Sequence, residues 1–259
     1  MNTAKRQRPG TGAPIRNDIL RALLESEYRD LRPRLEQVEL KPGEIIYRAD
    51  QAIKYVYFPG RAAVATIETL EDGRTVEVGI IGAEGMVGIN IFLGCLISPD
   101  KAVVHVPGDA MRMKANDLRQ AVRFGSPLQR LLLRYTQVLL ASISQSVACS
   151  QHHALVQRVA RLILTLRDHA ESNEFTMSHR SIATLLGMRR EGVSEAAGKL
   201  QAAGLITYSR AHIRILDAAG LKKQSCECYR FIRRQINGMQ RDMPRVLAEP
   251  QRRGRRDAS

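Results

Sequence analysis

The side chains with the most chemical content lie between His179 and Lys199. They fall in the run His179-Arg180-Ser181-Ile182-Ala183-Thr184-Leu185-Leu186-Gly187-Met188-Arg189-Arg190-Glu191-Gly192-Val193-Ser194 and the five residues after it. This spacing is what two tightly crossing helices require. Ala183 is small where the second helix crosses the first, Gly187 can take the left-handed conformation that ends a helix, and Val193 with Ile182 and Leu186 fills the wedge. The open face of the second helix then presents Arg189, Arg190, Glu191, Ser194 and Lys199, while His179 and Arg180 begin the first. Arginine pairs with guanine bidentately or binds phosphate, and glutamate can accept from the exocyclic amine of cytosine, so the face suits a reader of the DNA major groove. Two strand-like runs, Leu205–Tyr208 and Ile213–Leu216, flank Ser209-Arg210-Ala211-His212 and predict a wing, with Arg210 and His212 placed for sugar-phosphate contact.

Cysteine and histidine supply the other candidates. Cys226-Glu227-Cys228 has one intervening residue, too few for the usual two-to-four spacing of a zinc knuckle, and no second pair follows. Cys149 lies near His152 and His153. Both groups are expected to serve as helix packing faces, so no metal and no cofactor is assigned. Enzyme chemistry finds no motif: there is no glycine-rich phosphate loop, no His-Glu-x-x-His and no Gly-x-Ser-x-Gly, and the acids Glu71-Asp72 belong to a hairpin turn.

The elements that must position these residues follow from periodicity. Asn17 or Asp18 can cap a short helix with the apolar face Ile19, Leu20, Leu23 and Leu24. From there to Lys114 the period is two: Leu35–Leu40, Glu44–Tyr47, Tyr55–Phe58, Ala62–Leu70, Arg74–Ile81, Val103–Val106 and Ala110–Lys114 read as short strands between turn residues. Strands so spaced predict an antiparallel jelly roll. Ser126-Pro127 then opens a long helical stretch with no further breaker through Ala170, and a bend is expected near Ser150. Its apolar residues between Leu128 and Val147 cover more than one face, so it must be buried on two sides. The β domain can cover one; a second copy of the helix, or the monomer's own core, covers the other.

The fold class is therefore α+β, divided into a basic arm (1–16), a jelly-roll domain (17–125), a dimerisation helix (126–150), a winged helix-turn-helix domain (151–221) and a C-terminal helix with a basic tail (222–259). The charge agrees with that division. The 259 residues carry +14, with 20 basic against 16 acidic residues up to Ser150 and 20 against 10 beyond it, so the excess is regional and points to a polyanion. With 44% apolar and 25% charged residues the chain is an ordinary globular one. No apolar run of membrane-spanning length and no signal-peptide h-region is visible, so a cytoplasmic protein without a membrane partner is expected.

The order of these elements, with certain residues, resembles the Crp/Fnr family of bacterial transcription regulators over about residues 20–220. The carrying residues are Lys41-Pro42-Gly43-Glu44, Gly60, Gly82-Ala83-Glu84-Gly85-Met86, Arg158-Val159-Ala160-Arg161-Leu162 and the span Ile182–Ile215. The resemblance implies a cyclic-nucleotide-binding-like domain, a homodimer through the long helix, double-stranded DNA as partner and RNA polymerase as a further one. Arg190 and Glu191 match the Arg-Glu pair with which members read bases. Gly82, Glu84, Gly85 and Met86 would border an effector pocket for an unidentified small molecule. Cyclic AMP is not the expected effector, because residues 86–100 contain no arginine or lysine to pair with a buried phosphate. No cysteine precedes Cys95, so the N-terminal iron–sulfur centre of oxygen-sensing members has no ligands here. Two other readings stay open: an effector-independent architectural DNA-binding protein, and a metal- or thiol-dependent sensor using Cys149, Cys226 or Cys228.

Overall fold

A computed structural model describes residues 15–248. The expected basic arm up to residue 14 and the arginine-rich tail from residue 249 lie outside the described residues. Asn17 caps the first helix as its residue type predicts, its side chain accepting from the Leu20 amide, and its amide group also donates to the Pro59 and Gly85 carbonyls. The single short helix of the sequence reading is two: α1 (Asp18–Ala22) and α2 (Glu25–Leu31), separated by extended Leu23 and Leu24.

Seven strands follow where alternation places them: β1 (Glu36–Leu40), β2 (Ile45–Tyr47), β3 (Tyr55–Pro59), β4 (Ala63–Thr69), β5 (Thr75–Ile81), β6 (Lys101–Val106) and β7 (Gly108–Lys114). They form two antiparallel sheets, β1-β7-β3 and β2-β6-β4-β5. A short helix α3 (Ala115–Ala121) leads to α4 (Pro127–His152), whose N-cap is Ser126 as expected. Leu128, Leu131, Leu132, Tyr135 and Val138 of α4 complete the core between the sheets around Phe58, Met86 and Met113.

The expected bend near Ser150 is a full break. His153 and Ala154 are both extended, and α5 (Leu155–Ala170) starts afresh, with Gln157 Oε1 accepting from the Ala154 amide at 3.1 Å. Beyond it lie β8 (Glu174–Thr176), α6 (His179–Leu186), α7 (Arg190–Ala202), β9 (Ile206–Ser209), β10 (His212–Ile215), α8 (Ala218–Gln224) and α9 (Glu227–Ala248). β8 adds a third strand to the wing, which the sequence predicts as two, in the order β8-β10-β9. A second core joins α5 to α6, α7 and the wing, and it includes Ala63, Ala65, Ile67 and Val106 of the jelly roll. Strand β4 is therefore buried on both faces, and its alanines let α5 approach the sheet closely.

The second side of α4 is shared. Part of it carries α9, where Met239 and Met243 are buried, Arg134 pairs with Asp242 at 2.9 Å, and Arg130 donates to the Val246 carbonyl at 2.8 Å. The remainder, including Leu133, Leu140 and Val147, faces solvent at 52%, 56% and 60% exposure.

His105 shares a face of β6 with Val103, which packs on the second core; burial pushes its imidazole down to about 4, and its Nε2 has no partner among the described residues. A depressed histidine stabilises the fold above its unfolded value near 6.5, and that contribution is lost as pH falls toward 4. Replacing His105 with leucine should flatten this part of the stability profile, seen as a smaller difference in urea midpoint between pH 7 and pH 4.5 than in the parent chain.

Candidate nucleic-acid interface

The crossing of α6 and α7 is built as the sequence spacing requires. Ser178 caps α6 by accepting from the Ser181 amide at 3.0 Å, and Gly187 ends it at φ +60. Ile182, Ala183, Leu186 and Val193 are all buried at the crossing. One support was not legible in the sequence: the largely buried Arg158 of α5 donates from Nη2 to the Leu186 carbonyl at 2.7 Å, satisfying an end of α6 that no backbone amide among the described residues reaches. Arg158 is thus a bolt under the turn rather than a DNA ligand.

Arg189 is the N-cap of α7 and makes no side-chain capping bond, and Arg189, Arg190 and Glu191 at the start of the helix are all exposed. These are the positions from which a recognition helix reaches base edges. The wing tip is a two-residue turn in which Arg210 and Ala211 both take left-handed conformations, at φ +48 and +67, matching the twist of a hairpin. Arg180, Arg190 and Arg210 meet around one concavity of about 460 Å³, completed by Ser178, His179, Tyr208 and Ala211. Guanidiniums grouped on one hollow can bind phosphate oxygens or, bidentately, a base edge.

Other candidates are engaged elsewhere. His179 Nδ1 and Ser194 Oγ share a hydrogen bond of 2.9 Å, and the imidazole packs on Tyr208 with centroids 4.1 Å apart. Burial, and then the charge of Arg190, hold the His179 imidazole below its ordinary value, and its contacts with Ser194 and Tyr208 tie α6 to α7 and the wing. Lys199 pairs with Glu195 at 2.8 Å. His212 begins β10 and faces Glu174 at 3.4 Å, which also accepts from Arg214 at 2.7 Å, so His212 lies inside the wing sheet and not at its tip. Tyr208 was missed by the sequence reading. Its hydroxyl donates to the Met177 carbonyl at 2.7 Å, burial pushes it up to about 12, and its ring lines the hollow. Its alternation with buried Ile206 along β9 is the signal that could have found it.

In the jelly roll, Met86 is fully buried and accepts from the Tyr135 hydroxyl at 3.4 Å. The open faces of Gly82 and Gly85 are filled by His169 and Tyr135, where any Cβ would collide. Glu84 accepts from the Gly82 amide at 2.9 Å and lies 3.8 Å from His169. Of these four, Glu84 lines a cavity, one of about 60 Å³ that it shares with Glu77, Tyr135 and Arg161. Among the described residues, one set of side chains has the chemistry to hold a metal: Cys149, His153, Cys226 and Cys228, at the α4–α5 junction.

Residues 37–123 match the profile of the cyclic nucleotide-binding domain, and residues 157–224 match that of the Crp-like helix-turn-helix domain; together they span more than half of the chain. No curated protein matches by sequence. Among solved structures, similar folds include a transcriptional regulator described as of the Crp/Fnr family from Eubacterium rectale (18% identity, TM-score 0.64, covering 80% of this chain and 96% of that one). FixK2 from Bradyrhizobium japonicum (21%, 0.63, 74% and 98%) and a CRP-family transcriptional regulator from Thermus thermophilus (22%, 0.61, 73% and 96%) are similar to the same extent.

Exchanging Arg158 for methionine keeps its bulk but leaves the Leu186 carbonyl unpaired. The expected cost is about 1–3 kcal/mol, read as a lower urea midpoint, whereas Arg180→Ala on the exposed face should change stability by no more than about 0.5 kcal/mol.

Proposed function

The chain belongs to the Crp/Fnr family of DNA-binding transcription regulators, and from that membership we propose that it acts as a homodimeric, sequence-specific regulator that does not respond to cyclic AMP. The observation that carries the DNA-reading part is the exposed N-terminal end of α7, where Arg189, Arg190 and Glu191 stand beside the hollow lined by Arg180 and Arg210. Arg190 and Glu191 face base edges, while Arg180 and Arg210 hold the flanking phosphates and fix the register. His179 and Ser194 act here by bracing α7, and Lys199 and His212 lie at the margin.

Dimerisation has its own support. Leu133, Gln137, Leu140, Ser144 and Val147 are exposed at alternating spacings of four and three along α4, the repeat of a coiled-coil seam. A two-fold axis along that seam would present two copies of α7 to half-sites a helical turn of DNA apart. Against cyclic AMP stand the lack of a cation in residues 86–100 and the 60 Å³ cavity, well below the roughly 300 Å³ of a typical small-molecule site; the Arg161 that lines this cavity comes from α5 and is opposed there by Glu77. RNA polymerase as a partner and the cytoplasm as location follow from the family reading; among the described residues no helix is long and apolar enough to cross a membrane. Control would act at His153-Ala154, the two-residue break that sets how the winged modules are spaced.

Selection of sites from random duplex DNA should return a near-palindrome. Arg190→Ala should lose about 1–3 kcal/mol of discrimination at one base pair per half-site, and Arg210→Ala should weaken all sequences alike and reduce the salt slope by about one. Absence of a consensus at every salt concentration would overturn the sequence-specific reading. Leu140→Glu should convert the dimer to monomers in sedimentation while the monomer keeps its circular dichroism.

A further inference from the structure

Four metal-ligating side chains from two distant segments converge at the base of the winged module. Cys149 lies in the last turn of α4, and His153 follows four residues later at its C-cap, so both point from one face. Cys226 immediately precedes α9, and Cys228 lies in its first turn. The three thiols are buried, whereas Cys95 is exposed. Cys149 Sγ is 3.5 Å from Cys226 Sγ, Cys228 Sγ is 3.5 Å from His153 Nδ1, and all four ligand atoms lie within 4.8 Å of one another. Tetrahedral bonds of about 2.3 Å to sulfur and 2.0 Å to nitrogen place ligand atoms about 3.4–3.8 Å apart, which is the scale of this cluster.

The surroundings are those of a ligand set as well. His153 turns Nδ1 toward the sulfurs and keeps Nε2 3.1 Å from the Glu227 carboxylate, the carboxylate–histidine arrangement that fixes the tautomer of a metal-bound imidazole. Gln145 Nε2 donates to Cys228 Sγ at 3.0 Å, and the N-terminal end of the 22-residue α9 adds positive potential, both favouring thiolate. Packing alone explains neither the aim of the imidazole nor its carboxylate partner. A Cys149–Cys226 disulfide would leave Cys228, His153 and Glu227 without a role.

We propose that Cys149, His153, Cys226 and Cys228 bind one zinc ion in a closed Cys3His site. Soft sulfur donors in a tetrahedral set favour zinc, and four protein ligands leave no open position for catalysis. The ligand pairs bracket the winged module, one just before α5 and the other just after α8. The ion therefore pins both ends of that module together at the break in the long helix, and its removal frees the hinge. This second step rests on the DNA-binding reading; the site itself does not.

The test uses the full chain, purified anaerobically, stripped by a chelator under reductant, and titrated with zinc or cobalt(II) alone. One ion per chain is expected, and the cobalt form should show thiolate charge-transfer bands and the intense visible bands of tetrahedral coordination. Cys226→Ser, Cys228→Ser and His153→Ala should lose these bands, and Cys95→Ser should keep them. Glu227→Gln, at an exposed side chain, should leave the fold intact and weaken zinc binding about 10–100-fold. Zinc bound far below one per chain by the reduced parent protein would overturn the site, as would cobalt bands undiminished in Cys228→Ser and His153→Ala. Operator affinity should differ at least about fivefold between zinc-bound and stripped protein. Equal affinity with one zinc bound would overturn the hinge step alone, and a failure of both forms to bind DNA would count against the DNA-binding reading and leave the site standing.

Discussion

Strand β4 has to satisfy two cores at once, and much of the architecture depends on how it does so. Val64 points into the jelly roll with Phe58 and Met86, while Ala63, Ala65 and Ile67 meet α5 and the winged module on the other face. Bulkier residues at the two alanine positions would hold α5 off the sheet and open a gap that neither core could fill. Because α5 lies so close, α6 reaches β5, and the turn at Gly187 comes to rest against Val76. The sensor-like domain thus touches the helix-turn-helix directly as well as through the long helix.

That contact is less well satisfied than either core. His105 Nε2, Glu77 Oε2 and Arg161 Nε are buried there without hydrogen-bond partners among the described residues, and burial pushes the Glu77 carboxyl up to about 7 despite the opposing charge of Arg161. Each unpaired polar group subtracts about 1–3 kcal/mol from what the apolar area supplies. An interface of this composition is suited to parting without either domain unfolding, whereas the insides of the two domains, with their apolar side chains and paired backbones, are not.

The local structure was legible in the sequence where one residue type dictates one conformation. Ser126-Pro127 begins α4, Gly187 ends α6, and the alternation of Tyr55–Phe58 or Ala62–Leu70 marks strands. The exposed arginines at the start of α7 belong to the same class, because a helix-turn-helix leaves that end free. Less legible were features set by tertiary contact. The break at His153-Ala154 contains neither glycine nor proline, and β8 is too short to show a period. The apolar side of α9 gives no sign that it will cover α4. Ser194 and His179 have the types of DNA ligands, and only their mutual distance reveals a brace. Cys149 and Cys226 stand 77 positions apart, and neither pair has a spacing that announces the other.

The break in the long helix gains its meaning from where it falls. On one side α4 is fixed to the jelly roll by Leu131 and Tyr135 and leaves its heptad stripe exposed; on the other, α5 carries the winged module. Two extended residues between rigid helices would by themselves make a loose joint. Here the joint is surrounded by three restraints of different strength: the imperfect contact of α5 and α6 with β4 and β5, the packing of α9 along α4, and the cluster of Cys149, His153, Cys226 and Cys228. Releasing the weakest alone would let the module pivot while α9 and the cluster hold its base, so the module would swing about a defined axis instead of detaching. In the dimer proposed above, a defined axis is what lets two recognition helices move between spacings that match DNA and spacings that do not.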